Sequence, residues 1–176
     1  MNFIQTQILE IICLPSLSLY KKSLFIYHID ANVLNFINSL IATMQFYKGI
    51  GISSPQVGVF YDIFIMNFFS FNEFEAKCFC FLEKPYIFIN SKSILSLLLK
   101  KASIEGCISL SKVFFYIYRT FSKSIECFNI NGVLRHILLL KYINSYCCQH
   151  EYDHINGIIF LDRLESFTRS IVVKKF

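Results

Sequence analysis

Gln149-His150-Glu151-Tyr152-Asp153-His154-Ile155-Asn156-Gly157 is the stretch that decides how this chain is read. On a helix, residues four apart share a face, so the imidazoles of His150 and His154 can grip one metal ion. Glu151 stands ~100° round the helix from His150. It is displaced from the ligand direction but able to reach a water beside the ion. Two ligands and one general base are the physical content of the His-Glu-x-x-His pattern. The chain has four histidines, and two of them fall in this pattern. The other two, His28 and His136, lie among apolar residues without partners at ligand spacing and read as structural. Gly157 is a typical helix-ending residue, so a helix is predicted from near Lys141 to Gly157.

A hydrolytic metal centre takes three protein ligands and keeps one position open. The metzincin pattern would place a third His at position 160, where this chain has Phe160. A downstream acid would have to be Asp162 or Glu165, with little chain left for a supporting helix. Cys147 lies ~10.5 Å along the helix axis from His154, too far for both to bind one ion, and Cys148 points away from His150. A cysteine from another segment fits better. Cys107 is a candidate because Gly106 allows close backbone approach, although a buried, inert thiol is an equally good reading of that residue taken alone.

Upstream, Asp30 can cap a helix, followed by Val33, Leu34, Ile37, Leu40, Ile41 and Met44 at the period of a buried face, until Gly49 and Gly51 end it. Strand-like runs follow at Tyr61 to Phe68, Phe79 to Leu82, Tyr86 to Ile89, Val113 to Tyr118 and Ser124 to Ile130. Asn131-Gly132 is a strong hairpin signal, with Val133 to Leu139 as the return strand. Asn67 to Cys80 reads as a loop or a hairpin insertion. One helix, then strands, then one helix predicts an α+β fold. Its antiparallel or mixed sheets would pack around a central metal-binding helix.

The 176 residues suit one domain spanning 1–176. With 55% hydrophobic and 16% charged residues, disorder is not expected. Mean hydropathy is +0.50, yet the greasiest stretch, Val133 to Cys148, is interrupted by Arg135, His136, Lys141 and Asn144, so no membrane span is expected. The excess of Phe, Ile, Lys, Asn and Tyr, with no Trp, reads as the coding bias of an AT-rich genome. The net charge of +5 is thinly spread and reads as a solvated, mildly basic surface. Met1 to Leu14 lacks the basic start and the cleavage site of a signal peptide. Seven cysteines without such a signal point to free thiols in a reducing compartment.

Three segments together resemble the peptide deformylase family. Gly49-Ile50-Gly51-Ile52-Ser53-Ser54-Pro55-Gln56 is similar to the family's Gly-x-Gly-Leu-Ala-Ala-x-Gln. Glu105-Gly106-Cys107-Ile108-Ser109 is similar to Glu-Gly-Cys-Leu-Ser. Gln149 to Gly157 is similar to Gln-His-Glu-x-Asp-His-Leu-x-Gly. The resemblance implies that Cys107, His150 and His154 hold one divalent ion, Fe²⁺ by family habit with Zn²⁺ as the other ion such a donor set takes. It makes Glu151 the acid/base and assigns oxyanion stabilisation to the Gln56 amide and the Ile108 N–H. It sets Gly49, Ile50, Gly51, Gly106 and Cys147 along the methionine pocket; Tyr146 and Ile143, one and two helical turns before His150, are pocket candidates from helix geometry. The implied activity is removal of the N-formyl group from formyl-methionyl nascent peptides in the cytoplasm or an organelle, by a monomer with at most transient ribosome contact and no DNA or membrane partner. The departures are Ile at 52, 108 and 155, Ser53-Ser54 for Ala-Ala, and Ser111 for a common Pro. Arg119 is kept at the position of a common family arginine, and Asp153 reads as solvated or as lying behind the ligands. The rivals are another metallopeptidase built on the same helix, and a degenerate, metal-stabilised, ribosome-associated binding protein.

Overall fold

The computed structural model describes residues 6–70, 80–81, 85–96, 99–139 and 142–173. Helix α1 runs Ala31–Phe46. Asp30 Oδ1 accepts the Val33 N–H at 2.9 Å, as an N-cap should. The strands are β1 Gly51–Ser53, β2 Ile63–Met66, β3 Phe69–Ser70, β4 Cys80–Phe81, β5 Tyr86–Ser96, β6 Lys100–Cys107, β7 Leu110–Thr120, β8 Lys123–Phe128 and β9 Leu134–Leu139. Helices α2, Tyr142–Ile155, and α3, Ser166–Val173, complete the order. The α+β expectation holds: one antiparallel sheet has the order β1-β2-β5-β8-β9, and β3-β4 and β6-β7 form two-stranded sheets.

Strand β2 explains how the layers stack. Its four residues are all apolar and buried because both faces of the sheet are covered. Ile63 and Ile65 pack with Val33, Ile37, Leu40 and Met44 of α1. Phe64 and Met66 point the other way, with Cys147, Cys148 and Ile155 of α2. In register, Phe64 faces Phe88, and their rings stack with centroids 4.4 Å apart. Helix α2 also contacts β7, so it lies between the five-stranded sheet and the β6–β7 hairpin. That hairpin closes a further core of Leu19, Leu110, Ile117, Ile159, Phe160 and Leu161.

An N-terminal arm ties these layers together. The Ile12 N–H donates to the Gln56 carbonyl (2.8 Å), Leu14 to Ser109 (3.2 Å) and Ser23 to Ile155 (2.8 Å). Beyond α2, Gly157 adopts φ +72°, and a Cβ there would stand 2.4 Å from the Tyr20 carbonyl oxygen. Only glycine serves this helix exit and this close approach.

Several expectations need correction. Strand β6, which carries Cys107, was not foreseen, because its outer half is solvent-facing and lacks a two-residue alternation. Strand β5 continues past Ile89, across a register shift at Asn90, where φ is +52°. Strand β1 is an additional element, and helix α3 is the short C-terminal helix that the family resemblance implies. At Asn67 to Cys80 the hairpin reading holds at its base, since β3 pairs with β4; residues 71–79 lie outside the described residues, as do Phe79 and Leu82 of the expected strand and Lys141 of the expected helix start. His136 is not a buried structural residue. It is exposed, 4.0 Å from Glu126, and His28 is exposed too.

Candidate metal centre and catalytic cavity

Strand alternation and helix periodicity bring the three candidate ligands together. Cys107 ends β6, while His150 and His154 share one face of α2. Their ligand atoms all lie within 4.8 Å of one another. Cys107 Sγ is 3.2 Å from His154 Nε2, and the two imidazole centroids are 4.9 Å apart. Metal–sulfur bonds of ~2.3 Å and metal–nitrogen bonds of ~2.0 Å put tetrahedral neighbours ~3.5 Å apart, so the donors fit one ion. Phe160, which takes the metzincin His position, instead lays its ring beside His150 at 6.0 Å.

Glu105 orients the centre. On a strand, residues two apart share a face, so Glu105 points the same way as Cys107. Glu105 Oε2 accepts from His150 Nδ1 at 3.0 Å, which leaves His150 Nε2 as the free donor atom. Arg119 on β7 grips both oxygens of Glu105, at 2.7 and 2.9 Å, and its remaining nitrogen reaches Asp153 on α2. Arg163 holds Asp153 from the other side at 2.6 and 3.0 Å. Asp153 is therefore not solvated. It anchors a buried ion network that fixes α2 to the hairpin. Burial opposes ionisation of Glu105, but Arg119 and His150 outweigh it and hold its carboxyl down to about 2. This orienting role was missed because nothing local marks it; the two-residue offset to Cys107 was the available signal.

Burial likewise disfavours a Cys107 thiolate. The His154 charge and hydrogen bonds from His150 and His154 overcome it and hold the thiol well below its usual value. A thiolate is the form that binds metal. Glu151 is 3% exposed, and its Oε2 makes no hydrogen bond. Burial pushes its carboxyl up to about 7 despite the neighbouring His150 and His154 charges. Such a group is set to exchange a proton near neutrality. Gly51 leaves room for it: a Cβ there would stand 2.6 Å from Glu151 Oε1 and 2.8 Å from Cys147 Sγ.

Gln56 is both a cap and a site residue. Its Oε1 accepts from the Ser53 backbone N–H (2.8 Å) and the Ser53 hydroxyl (2.9 Å), capping the 3₁₀ turn Ser54–Val57. That fixes Nε2 toward Cys107 Sγ and Ser109 Oγ, each 3.3 Å away. The two serines that depart from the family pattern are thereby satisfied, since the Ser54 hydroxyl donates to the Tyr61 carbonyl. Ile108 occupies the turn between β6 and β7.

These groups open onto a cavity of about 670 Å³. Gly49, Ile50, Gly51, Gln56, Gly106, Cys107, Ile108, Ile143, Tyr146, Cys147, His150 and Glu151 all line it, while His154 closes the metal cluster behind. Burial pushes the Cys147 thiol well above its usual value, so it lines the wall as a neutral group. Lys48, Ser103, Ile104, Val113 and Phe114 also line the cavity. No motif points to them individually; Ser103, Ile104, Val113 and Phe114 come with the hairpin, and Lys48 with the segment that follows α1.

The polypeptide deformylase family model matches residues 8–170. The peptide deformylase of Pseudothermotoga lettingae is 31% identical over 89% of this chain and 83% of its own length. That of Buchnera aphidicola is 33% identical over 84% and 81%. The crystal structure of peptide deformylase from Ehrlichia chaffeensis in complex with actinonin superposes with a TM-score of 0.84 at 30% identity, over 96% of this chain and 95% of that one.

Proposed function

This chain belongs to the polypeptide deformylase family, and on that premise we propose that the groups lining its cavity carry out the family reaction in the roles that follow. The reaction is hydrolysis of the formyl amide on the N-terminal formylmethionine of new polypeptides, releasing formate. The alternatives of another metallopeptidase or a degenerate binding protein are not favoured by the family match along nearly the whole chain.

Cys107, His150 and His154 hold one divalent ion. The observation that carries this is the convergence of one sulfur and two imidazole nitrogens within 4.8 Å, beside a buried carboxylate oxygen without a hydrogen bond. Bound there, the ion supplies Lewis acidity, making water acidic and the formyl carbonyl electrophilic. A thiolate with two imidazoles suits Zn²⁺ or Fe²⁺; Fe²⁺ is our assignment, on the family resemblance.

Glu151 takes a proton from the attacking water, and its carboxyl, poised near neutrality by burial, then delivers it to the departing amine of methionine. The Gln56 Nε2–H, held by Ser53, and the Ile108 N–H face the negative charge that develops on the formyl oxygen. Gly49, Ile50, Gly51, Gly106, Ile143, Tyr146 and Cys147 surround the methionine side chain. Glu105, which also lines the cavity, positions His150.

The substrate is the formylated nascent peptide, met by a single-domain monomer in the cytoplasm or an organelle-like compartment. Among the described residues no helix is long and apolar enough to cross a membrane, and the +5 charge supports a transient contact with the ribosome. Glu151→Ala, with metal content verified, is expected to lower formate release from a formyl-Met peptide by about 10² to 10⁴-fold. Undiminished turnover would remove Glu151 from its role. Anaerobic purification followed by metal analysis tests the assignment of Fe²⁺.

A further inference from the structure

The outer face of the β6–β7 hairpin carries a row of rings. Phe114, Tyr116 and Tyr118 alternate with the inward Val113, Phe115 and Ile117, so all three share the face turned from the core. They are 68%, 70% and 67% exposed among the described residues. Across the register they stand opposite Gly106, Ile104 and Ala102. Exposure alone decides nothing in this chain, since Tyr27 and Leu17 are 83% and 80% exposed. Continuity singles this row out. Phe114 and its neighbour Ile104 line the catalytic cavity. Gly106 lets the Phe114 ring lie across the strand; a Cβ there would stand 2.6 Å from that ring. The row therefore begins at the cavity mouth and runs ~14 Å along β7, at ~6.8 Å per two residues.

We propose that this row is a docking track for the nascent polypeptide directly behind the formylmethionine, and that it favours chains with apolar side chains there. This rests on the deformylase reading of the cavity. A chain held by its first residue leaves past Ile104 and Phe114. A new N-terminus is extended, and at ~3.3 Å per residue about four residues span the track. Alternate side chains of an extended peptide recur every ~7 Å, which matches the spacing of the rings. Each tyrosine offers an apolar body to the peptide and keeps its hydroxyl in water.

The test compares three substrates: formyl-Met-Ala, a formyl-Met hexapeptide with leucines at positions three to six, and the same hexapeptide with serines there. With the wild type, KM for the leucine hexapeptide is expected to be about five- to tenfold below that for the serine one. Tyr116→Ser with Tyr118→Ser should erase this difference, leaving kcat and the formyl-Met-Ala KM unchanged. Tyr116→Phe with Tyr118→Phe should preserve it. Equal KM values for the two hexapeptides in the wild type, or a difference that survives the serine variant, would overturn the track. A serine variant that changes only the elution volume in size-exclusion chromatography would also overturn it, making the row a self-association face. No formate from any of the three substrates would instead sink the deformylase reading, and the track with it.

Discussion

On the inward face of the β6–β7 hairpin, Glu105 and Arg119 are 7% and 4% exposed; on the outward face, Phe114 and Tyr116 are 68% and 70% exposed. For these four residues the usual assignment of charged side chains to water and aromatic ones to the core is reversed, while Phe115 and Ile117 keep it. The inward charges are tolerable because they close on each other through Asp153 and Arg163, with every oxygen of both acids accepting a hydrogen bond. A buried ion set of this kind adds little stability over well-packed apolar residues, but it fixes geometry, and it is costly to break. The difference teaches that placement here follows the site: the inward charges, set among the apolar residues of the hairpin core, orient His150, and the outward rings continue from the mouth of the cavity.

The largest effect expected from breaking that contrast is at Arg119. Arg119→Met strands Glu105 and Asp153 without their shared cation and should cost about 3 to 5 kcal/mol in urea unfolding. Next is Glu105→Gln, which weakens the acceptor that sets the His150 tautomer. Metal affinity should fall about 10- to 100-fold, read by competition with a chelator. Asp62 sharpens the comparison as an acid whose burial outweighs its partners. Burial, opposed only by the Ser91 N–H and the Lys22 charge, pushes it up to about 6. The folded pKa lies above the unfolded one, so this contribution is fully present below about 4 and is lost as pH rises through about 6. Asp62→Asn should therefore narrow the stability difference between pH 4.5 and pH 7.5 by about 1 to 2 kcal/mol, as the site is only partly shielded. The smallest effect is on the outer face. Tyr116→Ser should lower the free energy of unfolding measured in urea by no more than about 0.5 kcal/mol; a larger loss would mean the ring is structural rather than a surface for substrate.

What could be read in the sequence was whatever a local rule governs. Asp30 with its apolar period gave α1, Asn131-Gly132 gave the β8–β9 turn, and the two histidines gave the face of α2. Cys107 was assigned through resemblance, since helix geometry set aside Cys147 and Cys148 and Gly106 made Cys107 a candidate, but neither excluded an inert thiol. The Glu105–Arg119–Asp153 network was not legible, because its members are remote in sequence and meet only through the register that pairs Glu105 with Phe115 and Lys101 with Arg119. Strand β6 escaped for a related reason: its outer residues meet water, so no alternation distinguishes them, and its partner strand defines it. Of the two duties of Gln56, the resemblance implied the one at the cavity, and the turn cap is seen in the structure. One amide serves both, its oxygen capping a turn while its nitrogen faces the ligands.

The arm that begins the chain closes on the exit of its last long helix, Ser23 on Ile155 and Tyr20 against Gly157. It also clasps, through Ile12 and Leu14, the two segments that supply Gln56 and Ile108. Assembly of the centre is thus a late event in biosynthesis: contacts spanning most of the chain's length must wait until α2 has emerged, and loop closure on that scale is slow. Amide exchange at Ser23, whose N–H donates to the Ile155 carbonyl, would clock that closure.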